Sequence, residues 1–176
     1  MMFRTRPFTM LVACGAIGLL AACSDSTGSG SNATTLTAVS PAGNATSVDD
    51  ASSVVLTFSA PMGQGMESYM DVHVGTTADS TMPMSCTWSA DRTTLTCTHT
   101  TPFAHGGTYT IHVGDGMMDA DGQPVGMGNM MSQMGGQWLT SGMMGGMHAG
   151  QPMGMMGQGW KGSNGSYGML FTFTAV

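Results

Sequence analysis

The chain has 176 residues, 27 of them glycine and 21 methionine, and only 14 carry charge, 4 basic against 10 acidic. A hydrophobic share of 41% is enough for one modest core and not for two. An acidic, lysine-poor chain is a poor polyanion binder, so no nucleic acid is expected as partner, and one glutamate with five scattered histidines argues against an elaborate hydrolytic site.

The first predicted element is an address. Arg4 and Arg6 precede the apolar run Leu11 to Leu20, which is too short for a stable membrane span and reads as an export signal. It closes on Leu20-Ala21-Ala22-Cys23, which is similar to the lipobox of bacterial lipoproteins. That resemblance implies a signal peptide over 1–22, cleavage before Cys23 and lipidation of Cys23. Membrane attachment through that anchor follows, and Ser24 after the cysteine points to the outer membrane, facing periplasm or cell surface. The alternative is an ordinary signal with a chance cysteine. Residues 23–33, rich in Ser, Gly, Thr and Asn, read as a flexible tether. After cleavage Arg92 and Lys161 stand against ten acidic residues, a net charge of −8.

Cys14 leaves with the signal, so Cys86 and Cys97 remain. In an exported protein, two cysteines 11 apart favour a disulfide. A hairpin folded about Asp91 and Arg92 sets Cys86 opposite Cys97 and Trp88 opposite Leu95. A thiolate metal pair is the rival, although its spacing matches no zinc pattern.

Beyond the tether the hydrophobic period is two. Val54, Leu56 and Phe58 alternate with Val55 and Thr57; Tyr109, Ile111 and Val113 with Thr108, Thr110 and His112; Met169, Phe171, Phe173 and Ala175 with Leu170, Thr172 and Thr174. Threonine as the outward partner suits half-buried antiparallel strands. Further strands are predicted over 36–39, 71–74, 85–89 and 93–98, with turns at Pro41-Ala42-Gly43, Pro61-Met62-Gly63 and His105-Gly106-Gly107. No amphipathic helix is visible. About seven strands and one core predict an all-β, Ig-like antiparallel sandwich over 34–176, interrupted by a long insertion before the last strand.

Particular stretches carry a family resemblance. Val39-Ser-Pro-Ala-Gly43, Val55 to Met62, Trp88 to Thr96, Thr101 to Thr110, Asp119 to Val125 and Leu170 to Thr174 resemble, in order, the bacterial Ig-like domain of the surface-layer type. The resemblance implies an Ig-like sandwich and little about activity. The same pieces are similar to the periplasmic copper-resistance family of the CopC type, some members of which carry Met-rich loops for Cu(I). This chain departs from that family in lacking a histidine at the mature N-terminus. Acylation of Cys23 would also remove the free amine that a Cu(II) site there needs.

The insertion spans 115–167 and holds 15 glycines and 12 methionines in 53 residues. Loops this long are functional or disordered, and so glycine-rich a segment is predicted to be largely disordered alone. Four Met-x-x-Met pairs stand out: Met127 with Met130, Met131 with Met134, Met144 with Met147, and Met153 with Met156. Met143 and Met155 add adjacent thioethers, and His148 follows Met147. Thioethers are soft, neutral donors that suit Cu(I) and Ag(I) and discriminate against Zn(II), Mg(II) and Ca(II). Plain apolar filler, able to pack irregular gaps, is the bland alternative. Filler mixes methionine with Leu, Ile and Val, whereas only Val125 and Leu139 of that class occur in the insertion. A reversible oxidation sink is a third possibility.

Elsewhere, Met62 and Met169 are expected in the core, and Met66, Met70, Met82 and Met84 are open between packing and ligation. Met117-Met118 is expected to anchor a metal site at the sandwich rim. His99, His105 and His112 are expected to be solvated, and His73 is undecided. Asp115, Asp119 and Asp121 are a weak Ca(II) candidate, better explained as a turn. The sequence thus supports a lipid-anchored envelope protein that binds Cu(I) or Ag(I) for buffering, resistance or transfer, with copper-handling envelope proteins as partners. The alternative is a non-catalytic structural or adhesive surface module. No nucleophile–base motif suggests an enzyme.

Overall fold

The structure, a computed structural model, describes residues 33–77, 79–126, 133–139 and 168–176. The signal peptide, Cys23 and the tether up to residue 32 lie outside the described residues.

Alternation of branched or aromatic residues with threonine produces strands that each bury one face. In chain order they are β1 (Leu36–Ser40), β2 (Val54–Phe58), β3 (Met70–Val74), β4 (Thr81–Met82), β5 (Ser85–Trp88), β6 (Thr94–Thr98), β7 (Thr108–Val113), β8 (Gln137–Trp138) and β9 (Met169–Thr174). Only a 3-10 turn, Met66–Tyr69, interrupts the β structure among the described residues. The strands form two sheets, β1-β2-β6-β5 and β4-β3-β7-β9-β8, and the named neighbours pair antiparallel. This is an all-β sandwich with the expected strands and two more, β4 and β8.

The facing sides of the sheets make the core. Val54, Leu56, Val72, Leu95, Ile111 and Phe171 are fully buried, and each such side chain stabilises the fold by about 1.5–3 kcal/mol. Phe103 packs edge-on to Phe173 at 5.1 Å and against Tyr109 at 4.5 Å, closing one end. The β5–β6 hairpin has the anticipated register, Cys86 opposite Cys97 and Trp88 opposite Leu95. The two cysteines are joined by a disulfide.

The sequence reading takes the chain out of the sandwich at Asp115, but the structure keeps two stretches of 115–167 within it. In the first, Met117 and Val125 are buried, Gly63 N–H donates to Met118 O at 3.0 Å, and Gly126 N–H donates to Thr34 O at 2.7 Å. In the second, β8 adds to the edge of β9, with Gln137 opposite Leu170 and Trp138 opposite Met169. Leu139 is buried there. The turn at 41–44 grips this stretch: Gly43 N–H donates to Met134 O at 2.8 Å. The Gly43 and Gly135 backbones approach so closely that neither position has room for a Cβ.

Candidate metal centre

Of the candidate metal ligands, Met134 is described; Met127, Met130, Met131, Met143, Met144, Met147, His148, Met153, Met155 and Met156 lie outside the described residues. Met134 is half-buried and packs on the core, held in place by the bond from Gly43 to its carbonyl. The segment 140–167, which carries seven of these ligands, departs from Leu139 and returns at Gly168. Those two residues are joined: Leu139 N–H donates to Gly168 O at 2.9 Å. The β8–β9 ladder therefore closes the base of this segment.

A second group of sulfurs lies at an open edge of the sandwich. After β4 the chain crosses between sheets through Pro83 and Met84 into β5. Met82 sits opposite Val72 of β3, on the core-facing side. The crossing leaves a cleft of about 370 Å³ whose lining includes Met70, Met82 and Met84, Glu67 and Asp71. Met70 and Met82 are buried and Met84 is half-buried. Glu67 accepts the indole N–H of Trp88 at 2.9 Å, and this bond holds its carboxyl below the ordinary carboxylate range. Burial pushes the Asp71 carboxyl up, against the opposing pull of His73. Three thioethers beside two carboxylates make an environment for a soft cation and a poor one for an anion. The Met82-x-Met84 spacing marks two of these residues in the sequence; Met70 joins them only through the β3–β4 pairing.

Of the remaining described methionines, Met118 is 47% exposed and the others are buried or half-buried. Met62 and Met169 are fully buried, as expected, and so is Met117, which is core and no rim anchor. Met66 Sδ accepts the Met118 N–H at 3.1 Å.

The histidines need correction. His112 points away from the core, as its register predicts, yet it is only 1% exposed. His99 is not a free surface residue either: its ring nitrogens face Thr101 O at 2.7 Å and Ser52 O at 3.0 Å. Its ring also packs on Phe103 at 4.1 Å. His105 is exposed, and His73 is buried. Asp119 serves its own turn, accepting from Gln123 N–H at 2.8 Å and Asp121 N–H at 3.0 Å, and from the Thr34 hydroxyl at 2.9 Å. These bonds, the one from Gln123 first, lower its carboxyl pKa. Among the described residues, no three or more His, Cys, Asp or Glu side chains group to hold a metal ion.

The chain belongs to the bacterial Ig-like domain family, whose model matches residues 30–132. Among solved structures it is similar to the N-terminal part of the bacterial S-layer protein SbsC, at 20% identity and TM-score 0.41. That match covers 55% of this chain and 22% of the other, and only 13% of a longer S-layer chain, rSbsC(31-844). The chain thus spans a small part of the S-layer proteins it matches. It is also similar to PcoC, described as a methionine-rich copper resistance protein from Escherichia coli, at 13% identity and TM-score 0.44. That match covers 82% of this chain and all of PcoC. CopC from Methylosinus trichosporium OB3b matches at 13% identity and TM-score 0.44, over 81% of this chain and 92% of CopC. No curated protein sequence matches.

Proposed function

We propose that this protein is a lipid-anchored, non-catalytic envelope module that binds Cu(I) or Ag(I) through thioethers, for buffering, resistance or transfer. One observation carries the reading. The two branched aliphatic residues of the insertion, Val125 and Leu139, are both buried, together with Met117. Those residues, with half-buried Met134 and Trp138, pack the described parts of the insertion on the core, so filler is a poor explanation for the methionines after Met118 other than Met134. Their near-exclusive choice of sulfur over branched carbon suits soft-metal chemistry. Glycine between donors lets several sulfurs meet one ion. The likeness to PcoC and CopC is one of fold and carries none of this.

The Met70–Met82–Met84 cleft belongs to the same reading as a secondary seat. An anaerobic Cu(I) titration of the mature protein tests it, with more than one equivalent expected. Most of that capacity is lost when the methionines of 127–156 become leucine. Membership of the Ig-like family supports the second reading, a structural or adhesive surface module, which predicts no uptake and no metal-dependent ordering.

A further inference from the structure

Independent of the thioethers, a pair of imidazoles is buried on the side of the five-stranded sheet that faces away from the core. β3 and β7 pair so that Asp71 lies opposite His112 and His73 opposite Thr110. That puts Asp71, His73 and His112 on one face. His73 is 7% and His112 1% exposed, and their ring centroids are 5.9 Å apart. His73 Nδ1 lies 3.2 Å from Asp79 O. A carbonyl only accepts, so Nδ1 carries the proton and Nε2 keeps its lone pair. That Nε2 is buried with no hydrogen-bond partner among the described residues.

A buried acceptor left without a donor destabilises the fold, and a ligand would relieve that cost. A ring nitrogen fixed by a bond from the other nitrogen to a backbone carbonyl is how metal-binding histidines are oriented. Two metal–nitrogen bonds of about 2 Å each, with the ring radii, set imidazoles facing one ion about 6 Å apart. The observed separation is close to that.

We propose that His73 and His112 form a nitrogen-donor site for a monovalent soft ion, Cu(I) or Ag(I), bound through His73 Nε2 and one nitrogen of His112. Two donors suffice for such an ion in linear coordination, and no third His, Cys, Asp or Glu converges here among the described residues. Charge favours a cation here: Asp71 lies opposite His112 in the ladder, and the Asp71 and Asp79 carboxylates both interact electrostatically with His73.

The test follows the imidazole nitrogens of the mature, isotope-labelled protein by NMR as Ag(I) is added. His73 and His112 signals should shift together over one equivalent. His73→Asn and His112→Asn should each abolish that equivalent and leave the methionine methyl responses intact. Should either variant fail to fold, the titration of the unaltered protein decides alone. Imidazole signals that stay fixed to saturation would overturn the site, as would signals that move with Zn(II) and not with Ag(I). Methionine methyl signals report the thioether reading separately, so either can fail without the other.

Discussion

The contact between Glu67 and Trp88 makes the clearest prediction at the scale of single residues. Trp88 is held by three groups: it packs on Phe58 at 5.8 Å, lies under the Arg92 guanidinium at 5.6 Å, and donates to Glu67. The Glu67 carboxyl titrates below its ordinary value of 4.5 because the indole N–H favours the charged form. A lowered folded-state pKa contributes stability above the unfolded value and loses it as pH falls through the folded one. Glu67→Gln should therefore narrow its stability deficit against the unaltered protein between about pH 6 and pH 3, read by denaturant unfolding. A constant gap would show that the carboxylate charge plays no part. Asp71 has the opposite sign: burial raises its pKa, so its ionisation costs stability as pH rises through the folded value. Asp71→Asn should raise the unfolding midpoint of the metal-free protein at neutral pH and leave it unchanged at about pH 3.

At the scale of elements, the β8–β9 junction joins the two described residues, Leu139 and Gly168, that flank segment 140–167. Gly168 has φ 111°, and a Cβ there would strike the Val113 carbonyl. Gly168→Ala should cost about 1–3 kcal/mol. Leu139 is fully buried, and Leu139→Ala should cost about 2–5 kcal/mol. Chemical denaturation checks both, and an unchanged midpoint in either would mean that the junction does not hold the sheet edge. The β5–β6 disulfide closes a loop with a separation of 11 residues, and its removal by paired serine substitutions should cost about 3 kcal/mol.

These elements also show what a sequence can reveal. The period-two runs and the Asp91–Arg92 turn specify β2, β5, β6, β7 and β9 because register follows from side-chain alternation and turn position. β4 and β8 are two residues long, and no periodicity can be read from two residues. His112 is buried although its outward register suggests a solvated residue, because alternation tells which face a residue is on, not whether that face is covered. The cleft was half legible: Met82-x-Met84 is visible in the chain, while Glu67, Met70 and Asp71 reach it only through the 3-10 turn and the β3–β4 pairing.

For the whole molecule, charge and sulfur act together. On the proposed reading, ten carboxylates against two cations in the cleaved form would give a field that draws cations toward the protein, and the thioethers would select among them by softness. On the same reading the insertion supplies most of the donors, so most of the metal capacity should be separable from fold stability. Most directly, an anaerobic Cu(I) competition titration against a chromophoric chelator, run on the mature protein and on a variant with leucine for every methionine of 127–156, tests this account. The account predicts more than one equivalent for the first and loss of most of that capacity in the second, with the fold retained. An unchanged Cu(I) stoichiometry in the variant would contradict it.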